Sequence, residues 1–386
     1  MYEFREKIID VIFEDQKKQN YYDNILSKGV DLKKDFIRDL FQEEAAARKS
    51  FKQDYTPDCL CQLFFELANF GGCVYDECAG TGSLLIPFIN AGARRVTACE
   101  VSDTVIPLLL FNLSIRNVTG TVLQEDVTTG ELFKAYRLTA RERYSDVEVV
   151  LDVSKDKQPL IVSNPPYSLP WSGQADARLD GFAVPPKSKA DYLFLIDIIR
   201  KLQPGGEAFV LFPHGVLFRG QAEGQIRQQL IESGYLKAII GLPKDMFMNT
   251  GIPTVLLHVK KEHSADGIYV VDASGFGEKV GKQNILSGEK IREISDLFRA
   301  RVTKEKVARM VPISEVVEND YNLNIPRYID TYEPEVLPPL KDIAGELVKL
   351  EGEIRETEKE LAGMMADLVG DNYQSDVKEL LELWKG

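Results

Sequence analysis

The sequence predicts an α/β fold with a doubly wound, mostly parallel sheet, and three observations carry that expectation. Apolar, β-rich runs alternate with helical patterns from about residue 72 to residue 272, as parallel strands joined by crossover helices and covered on both faces require. The 386 residues are 44% hydrophobic and 28% charged, ordinary values for a globular chain with ample core. Several predicted strands end in a glycine turn or a single acidic residue, where an open parallel sheet receives its ligands.

Taken in order, residues 1–50 read as an N-terminal helical segment of two or three short helices, with apolar positions at Ile8, Ile9, Val11 and Ile12 and again at Phe36, Leu40 and Phe41. After Gln53-Asp54-Tyr55-Thr56-Pro57 a helix runs from about Pro57 to Phe70, with proline at its start. Strands are expected near 72–76, 95–100, 120–125, 158–163, 207–213, 236–241, 252–259 and 267–272, and helices near 83–91, 103–117, 190–202 and 222–233. Residues 128–157 and 168–189 show neither period and read as long irregular connections, which in a compact domain are functional or mobile. The central domain is taken as 51–275, followed by a helical and irregular extension over 276–336 and a helical tail over 337–386. In that tail Leu340, Ile343, Leu347, Leu350, Ile354, Leu361, Met364 and Leu368 recur at 3,4 spacing, broken only by Thr357. That is a coiled-coil seam, and it needs another helix to bury it.

Composition narrows the function classes. No run approaches the roughly 20 apolar residues that span a bilayer, and the N-terminus is charged rather than signal-like. Five cysteines, an odd number with no zinc-like His/Cys spacing, read as reduced thiols of a cytoplasmic protein. The net charge of −13 argues against a uniformly basic nucleic-acid surface. Residues 331–386 alone hold 14 acidic and 6 basic side chains, so the first 330 residues carry only −5, and a locally basic cleft stays open.

The segment Cys73-Val74-Tyr75-Asp76-Glu77-Cys78-Ala79-Gly80-Thr81-Gly82 reads as a strand followed by a glycine turn and a helix. Asp76 closes the strand, while Gly80 and Gly82 let the backbone approach a ligand. The next strand ends in Glu100, placed to accept both hydroxyls of a ribose, and the third ends in Asp126, placed to touch or shape an adenine pocket. A glycine turn of this kind is weak evidence alone; three successive strand ends in register are much stronger. No second phosphate turn and no lysine follow Gly82, so NAD and ATP fit poorly and a nucleoside without phosphates, S-adenosylmethionine, fits best.

The fourth strand end is Asn164-Pro165-Pro166-Tyr167. An exocyclic adenine amine is a poor nucleophile because its lone pair is delocalised into the ring. Accepting both of its hydrogens, at the Asn164 side-chain oxygen and the Pro165 carbonyl, localises that lone pair. The two prolines fix φ and keep the carbonyl out of a ladder, and Tyr167 offers a face on which an extruded base stacks. The bland alternative is a strand-terminating turn with a half-buried tyrosine. Trp171 and Phe182 read either as walls of a base pocket or as core anchors. Arg178, Lys187 and Lys189 read either as phosphate contacts or as a solvated basic loop. His214 reads either as a general base or as a structural loop histidine, and the second is preferred because this alkylation needs no strong base.

The run over 202–261 strongly resembles the methylation subunits of type I restriction-modification systems, as do Tyr55-Thr56-Pro57, the turn 76–82, Asn164-Pro165-Pro166-Tyr167 and the segment 322–333. The resemblance covers about residues 50–335 in order, and the 202–261 stretch is not shared by methyltransferases in general. It implies a class I S-adenosylmethionine-dependent methyltransferase fold of seven strands with the last antiparallel, N6-adenine chemistry on DNA, and assembly with a specificity subunit and often a restriction subunit. Carried over by motif, Tyr55, Thr56 and Pro57 border the cofactor, while Asp76, Ala79, Gly80, Thr81, Gly82, Glu100, Val101, Asp126 and Asn164 contact it. Asn164, Pro165, Pro166 and Tyr167 hold the adenine. The family's usual D-P-A-C-G becomes Asp76-Glu77-Cys78-Ala79-Gly80 here, Lys52 and Asp54 replace a glycine and an aromatic, and only about 50 residues precede Tyr55. Two other readings stay open: methylation of cytosine N4, an RNA base or a protein glutamine, and a non-catalytic assembly scaffold.

Overall fold

In the computed structural model, residues 2–38, 56–153, 156–248, 250–262, 267–330 and 338–366 are described. Alternation of apolar runs and amphipathic helices produces one large sheet. Its central strands are β1 (Cys73–Asp76), β2 (Arg95–Glu100), β3 (Gly120–Asp126), β6 (Gln158–Ser163), β7 (Leu202–Pro213), β8 (Leu236–Gly241) and β9 (Thr254–Lys260). They lie in the order β3-β2-β1-β6-β7-β9-β8, parallel except for β9, which runs antiparallel to both neighbours. This is the expected seven-strand arrangement with the last strand reversed.

The sheet does not stop at seven strands. Residues 128–157, read from sequence as an irregular connection, contain the antiparallel strands β4 (Glu131–Thr139) and β5 (Asp146–Val150), which extend the β3 edge. At the other edge β10 (Ile268–Asp272) pairs with β8 and β13 (Ala308–Val311) pairs with β10, giving eleven strands among the described residues. The first half of β4 is solvated on both faces, so it shows no alternation. Its register comes from pairing with β3, for example Val122 opposite Tyr136. A short separate hairpin, β11 (Glu278–Val280) with β12 (Gln283–Ile285), follows β10.

Two cores cover the two faces. On one face the helix Ile106–Ser114 is buried all round, eight of its nine residues being buried, because it is covered on its outer side by the N-terminal helices Tyr2–Val11 and Asp15–Leu26. Tyr22 packs edge-on against both Phe111 and Tyr144, each at 5.0 Å, and its hydroxyl bonds Ser114 Oγ at 2.6 Å. The helices Asp58–Leu67 and Gly288–Ala300 complete that face. On the other face, the helices Asp191–Lys201 and Gln221–Glu232 and the segment 323–329 form the second core.

Residues 1–331 form one compact unit and 332–386 a second. Within the second, a 27-residue helix, Leu340–Ala366, carries the 3,4 stripe, with Leu347, Leu350 and Ile354 exposed. Leu368, the last of that series, lies outside the described residues. Among the described residues no helix is long and apolar enough to cross a membrane.

Candidate cofactor and base site

The site is built at the C-terminal ends of β1, β2, β3 and β6, which are adjacent in the sheet. β1 delivers Asp76 fully buried; its Oδ1 accepts the Cys78 amide at 3.2 Å, and its Oδ2 has no partner. Burial pushes this carboxyl up to about 8, only partly offset by the Cys78 amide. The turn then reverses through Gly80 at φ 55° and Gly82 at φ 93°, left-handed conformations that favour glycine. A Cβ at Gly80 would meet nothing within 4 Å, so the backbone there faces open space. Thr81 is buried and its hydroxyl has no partner.

β2 delivers Glu100, whose two oxygens accept the Gly80 amide at 2.9 Å and the Ser102 amide at 2.8 Å. Burial raises its carboxyl, and the Ser102, Gly80 and Val101 amides oppose that shift. Val101 beside it is half exposed although apolar. β3 delivers Asp126, whose Oδ1 caps its own turn by accepting Thr128 N at 2.8 Å and Thr128 Oγ1 at 2.7 Å. Two buried polar atoms without partners, an open backbone at Gly80 and a strand-end carboxylate beside an exposed valine suit a ligand with hydroxyls, an ammonium and one apolar ring.

Asn164 follows β6. Its Nδ2 donates to Thr56 Oγ1 at 3.0 Å, joining a residue expected to border a cofactor to one expected to hold a base. The Tyr167 hydroxyl donates to Asn164 Oδ1 at 2.9 Å, so the acceptor expected to face a base amine is engaged by the neighbouring tyrosine. Thr56 precedes Pro57, the N-cap of the helix Asp58–Leu67. Arg38 braces this corner through a two-pronged pair with Asp58 at 2.6 and 2.8 Å, and it also donates to Thr56 O at 3.5 Å. Buried Asp35 accepts the Ser83 hydroxyl just past the glycine turn. Tyr55 lies outside the described residues.

The sequence departure at Glu77 is absorbed underneath the turn. Glu77 is fully buried and meets Lys201 Nζ at 3.0 Å. Lys201 also reaches Asp197 at 2.8 Å and Glu125 at 3.6 Å, and it sits 5.4 Å from the Tyr75 ring centre. Burial alone would lower the Lys201 ammonium, but Glu77 and Asp197 outweigh it and hold it well above its ordinary value. Neither Lys201 nor Asp197 stands out in the sequence; a lysine at the end of an apolar, buried helix is the signal they leave there.

The loop after Tyr167 spends its candidate contacts internally. Trp171 is buried, with its indole N–H on Pro186 O at 3.0 Å, and Phe182 packs against the second core. Arg178 pairs with Asp176 at 2.7 Å and donates to Val127 O and Thr128 O, clamping the loop to the turn after β3. Lys187 is exposed and Lys189 half-buried. His214 is half-buried, its pKa lowered by burial, and its ring meets Phe218 edge-on at 5.7 Å.

The chain matches the family model described as N-6 DNA Methylase over residues 35–336. It is 27% identical to the type I restriction enzyme MpnII methylase subunit of Mycoplasma pneumoniae, over 87% of this chain and 63% of that protein. It is 25% identical to the MjaIX methylase subunit of Methanocaldococcus jannaschii, over 80% of this chain and 58% of that one. The chain thus spans about three-fifths of the length of these relatives. Among solved structures, a type I restriction-modification system methyltransferase subunit from Streptococcus thermophilus superposes with a TM-score of 0.64 at 32% identity, covering 72% of this chain and 60% of that one. The EcoKI M protein shares the fold, with a TM-score of 0.52 at 20% identity over 85% and 76% of the two chains.

Proposed function

This chain belongs to the N-6 DNA methylase family, and from that premise we propose that it methylates N6 of an adenine turned out of DNA, as the methylation subunit of a type I restriction-modification system. One observation carries the reading: the side chain of Asn164, followed by two prolines and Tyr167, is tied by a 3.0 Å hydrogen bond to Thr56, while at the neighbouring strand ends Glu100 accepts the Gly80 amide at 2.9 Å. An acceptor for a base amine and a cradle for a nucleoside therefore share one corner of the sheet.

S-adenosylmethionine is the cofactor that the donor set fits, and when bound it supplies an electrophilic methyl group. Glu100 receives the ribose hydroxyls, Val101 and Asp126 border the adenine ring, and Asp76 with the 79–82 turn receives the amino-acid portion. Asn164 Oδ1 and the Pro165 carbonyl accept the two hydrogens of the base amine, which localises its lone pair, and in-line positioning supplies most of the rate. The Tyr167 hydroxyl leaves Asn164 Oδ1 as the base arrives, and its ring becomes the stacking face. Target choice belongs to a specificity subunit, with the helix Leu340–Ala366 as the docking element for its helices; a restriction subunit completes the complex in systems that carry one.

The test incubates the full chain, with and without its specificity subunit, with labelled cofactor and unmethylated DNA. Label is expected in the DNA when the specificity subunit is present. A chain that binds the cofactor but labels no DNA under either condition is a scaffold, and the proposal fails. Removal of residues 331–386 should leave cofactor binding intact and abolish co-purification with the specificity subunit; undiminished co-purification would remove the helix from this role.

A further inference from the structure

The residue after the base-holding tyrosine is in an unfavourable conformation. Ser168 has φ 50°, a left-handed geometry that a non-glycine residue keeps only when its surroundings impose it. Its amide donates to Asp191 Oδ1 at 2.7 Å. Asp191, 1% exposed, opens the helix Asp191–Lys201, 23 residues away in sequence. One residue earlier, Ala190 N bonds Leu169 O at 2.8 Å, closing a second link between the same two segments.

The other Asp191 oxygen is also engaged. Arg219 Nη1 sits 2.8 Å from Asp191 Oδ2 and 3.1 Å from Glu223 Oε1. Arg219 reaches there by crossing Gly215, where a Cβ would lie 2.6 Å from its Nε. Arg227 holds the 214–219 turn from behind, donating to Arg219 O at 2.9 Å, Val216 O at 3.1 Å and Tyr321 O at 2.6 Å. Leu323 N completes the link on Leu217 O at 2.9 Å. Two stretches that the sequence marked as distinctive, 202–261 and 322–333, thus meet in one chain of contacts that ends at Ser168.

We propose that Asp191 is a positioning residue for methyl transfer: held by Arg219, it fixes Ser168 in the left-handed region and so sets the direction in which Tyr167 and the Asn164 acceptor face the base. This rests on the proposed function for its consequence in catalysis but not for the geometry it imposes. A buried carboxylate that accepts one loop amide and is itself anchored by a guanidinium removes the loop's freedom before the base arrives, which is where positioning acts on rate.

The test uses the full chain carrying Asp191→Ala, with Asp191→Asn as the milder variant that keeps an oxygen for the Ser168 amide. Amide hydrogen exchange at Ser168, read on peptides over 163–170, should speed up on the order of tenfold or more in Asp191→Ala and less in Asp191→Asn, with strands β1 and β2 unchanged. With the specificity subunit and DNA, kcat should fall by about a hundredfold in Asp191→Ala, while cofactor affinity stays within about twofold. Unchanged exchange at Ser168 in both variants would overturn the proposal, as would a loosened loop with wild-type kcat. Should Asp191→Ala not fold, the graded loss in Asp191→Asn decides. A wild-type chain that transfers no methyl group at all defeats the functional reading instead, and the brace is then judged on exchange alone.

Discussion

The proposed cofactor side and the proposed base side of the site are held by different physics. On the proposed cofactor side, backbone amides of the strand-end turns do most of the holding: Glu100 accepts one from Ser102, Asp76 one from Cys78, and Asp126 caps its own turn, with Gly80 N reaching Glu100 from the neighbouring strand end. On the proposed base side, polar contacts between side chains or loops far apart in the sequence hold the chain: Thr56 to Asn164 across 108 residues, Asp191 to Ser168 across 23, and Arg219 to Asp191 across 28. Local caps form with their strand ends and tolerate neighbouring change, whereas a long-range brace fails wherever one member is lost. The two sides should therefore be separable by mutation.

The largest separation is expected from Asn164→Ala. Loss of the amine acceptor should lower transfer by about a thousandfold or more, with cofactor affinity within a few-fold of wild type by calorimetry. A parallel collapse of cofactor binding would show that the two sides are one unit. Next comes the buried ion cluster beneath the glycine turn. Lys201→Met leaves buried Glu77 without its cation, while Asp197 keeps Arg178 at 3.6 Å, and removing one member of a buried pair costs about 3–5 kcal/mol. Chemical denaturation should show that loss and a substantial recovery in Glu77→Gln/Lys201→Met; a neutral single variant would mean that water reaches the cluster.

On the cofactor side itself, Glu100→Ala should weaken S-adenosylmethionine binding by about 1.5–3 kcal/mol through lost charge-assisted hydrogen bonds without changing the Ser168 amide. Wild-type affinity would remove Glu100 from the ribose. The smallest effect concerns pH. Burial raises the Asp76 carboxyl from 3.8 to about 8, so folding favours its protonated form and the free protein loses that contribution as pH rises through this window. A bound ammonium favours the ionised form instead, so cofactor affinity should rise a few-fold to about tenfold between about pH 6 and 8. Asp76→Asn should flatten that profile; an unchanged slope would place the titration elsewhere.

The same contrast explains what was legible in the sequence. Strand ends at Asp76, Glu100, Asp126 and Asn164 were readable because a short apolar run and the residue at its tip are local facts, and β1, β2, β3 and β6 end within a residue of the expected positions. The hairpin β4–β5 was not readable, because its first strand starts solvated on both faces and takes its register from β3. Asp191, Lys201 and Arg219 were invisible for a related reason: each acts through a partner distant in the chain, and within its own segment it resembles an ordinary helix-end or loop charge. Trp171 and Arg178 were visible as residues but ambiguous as roles, and the contacts they make run to Pro186, Asp176 and the turn after β3.

In the proposed reaction Asn164 presents an acceptor to the exocyclic amine of adenine. The measurement that tests this most directly is the identity of the modified nucleoside in digested DNA after reaction of the full chain with its specificity subunit and S-adenosylmethionine. N6-methyladenine, absent when Asn164→Ala replaces the wild type, is the predicted product. N4-methylcytosine, or label found in protein rather than in DNA, would contradict the account.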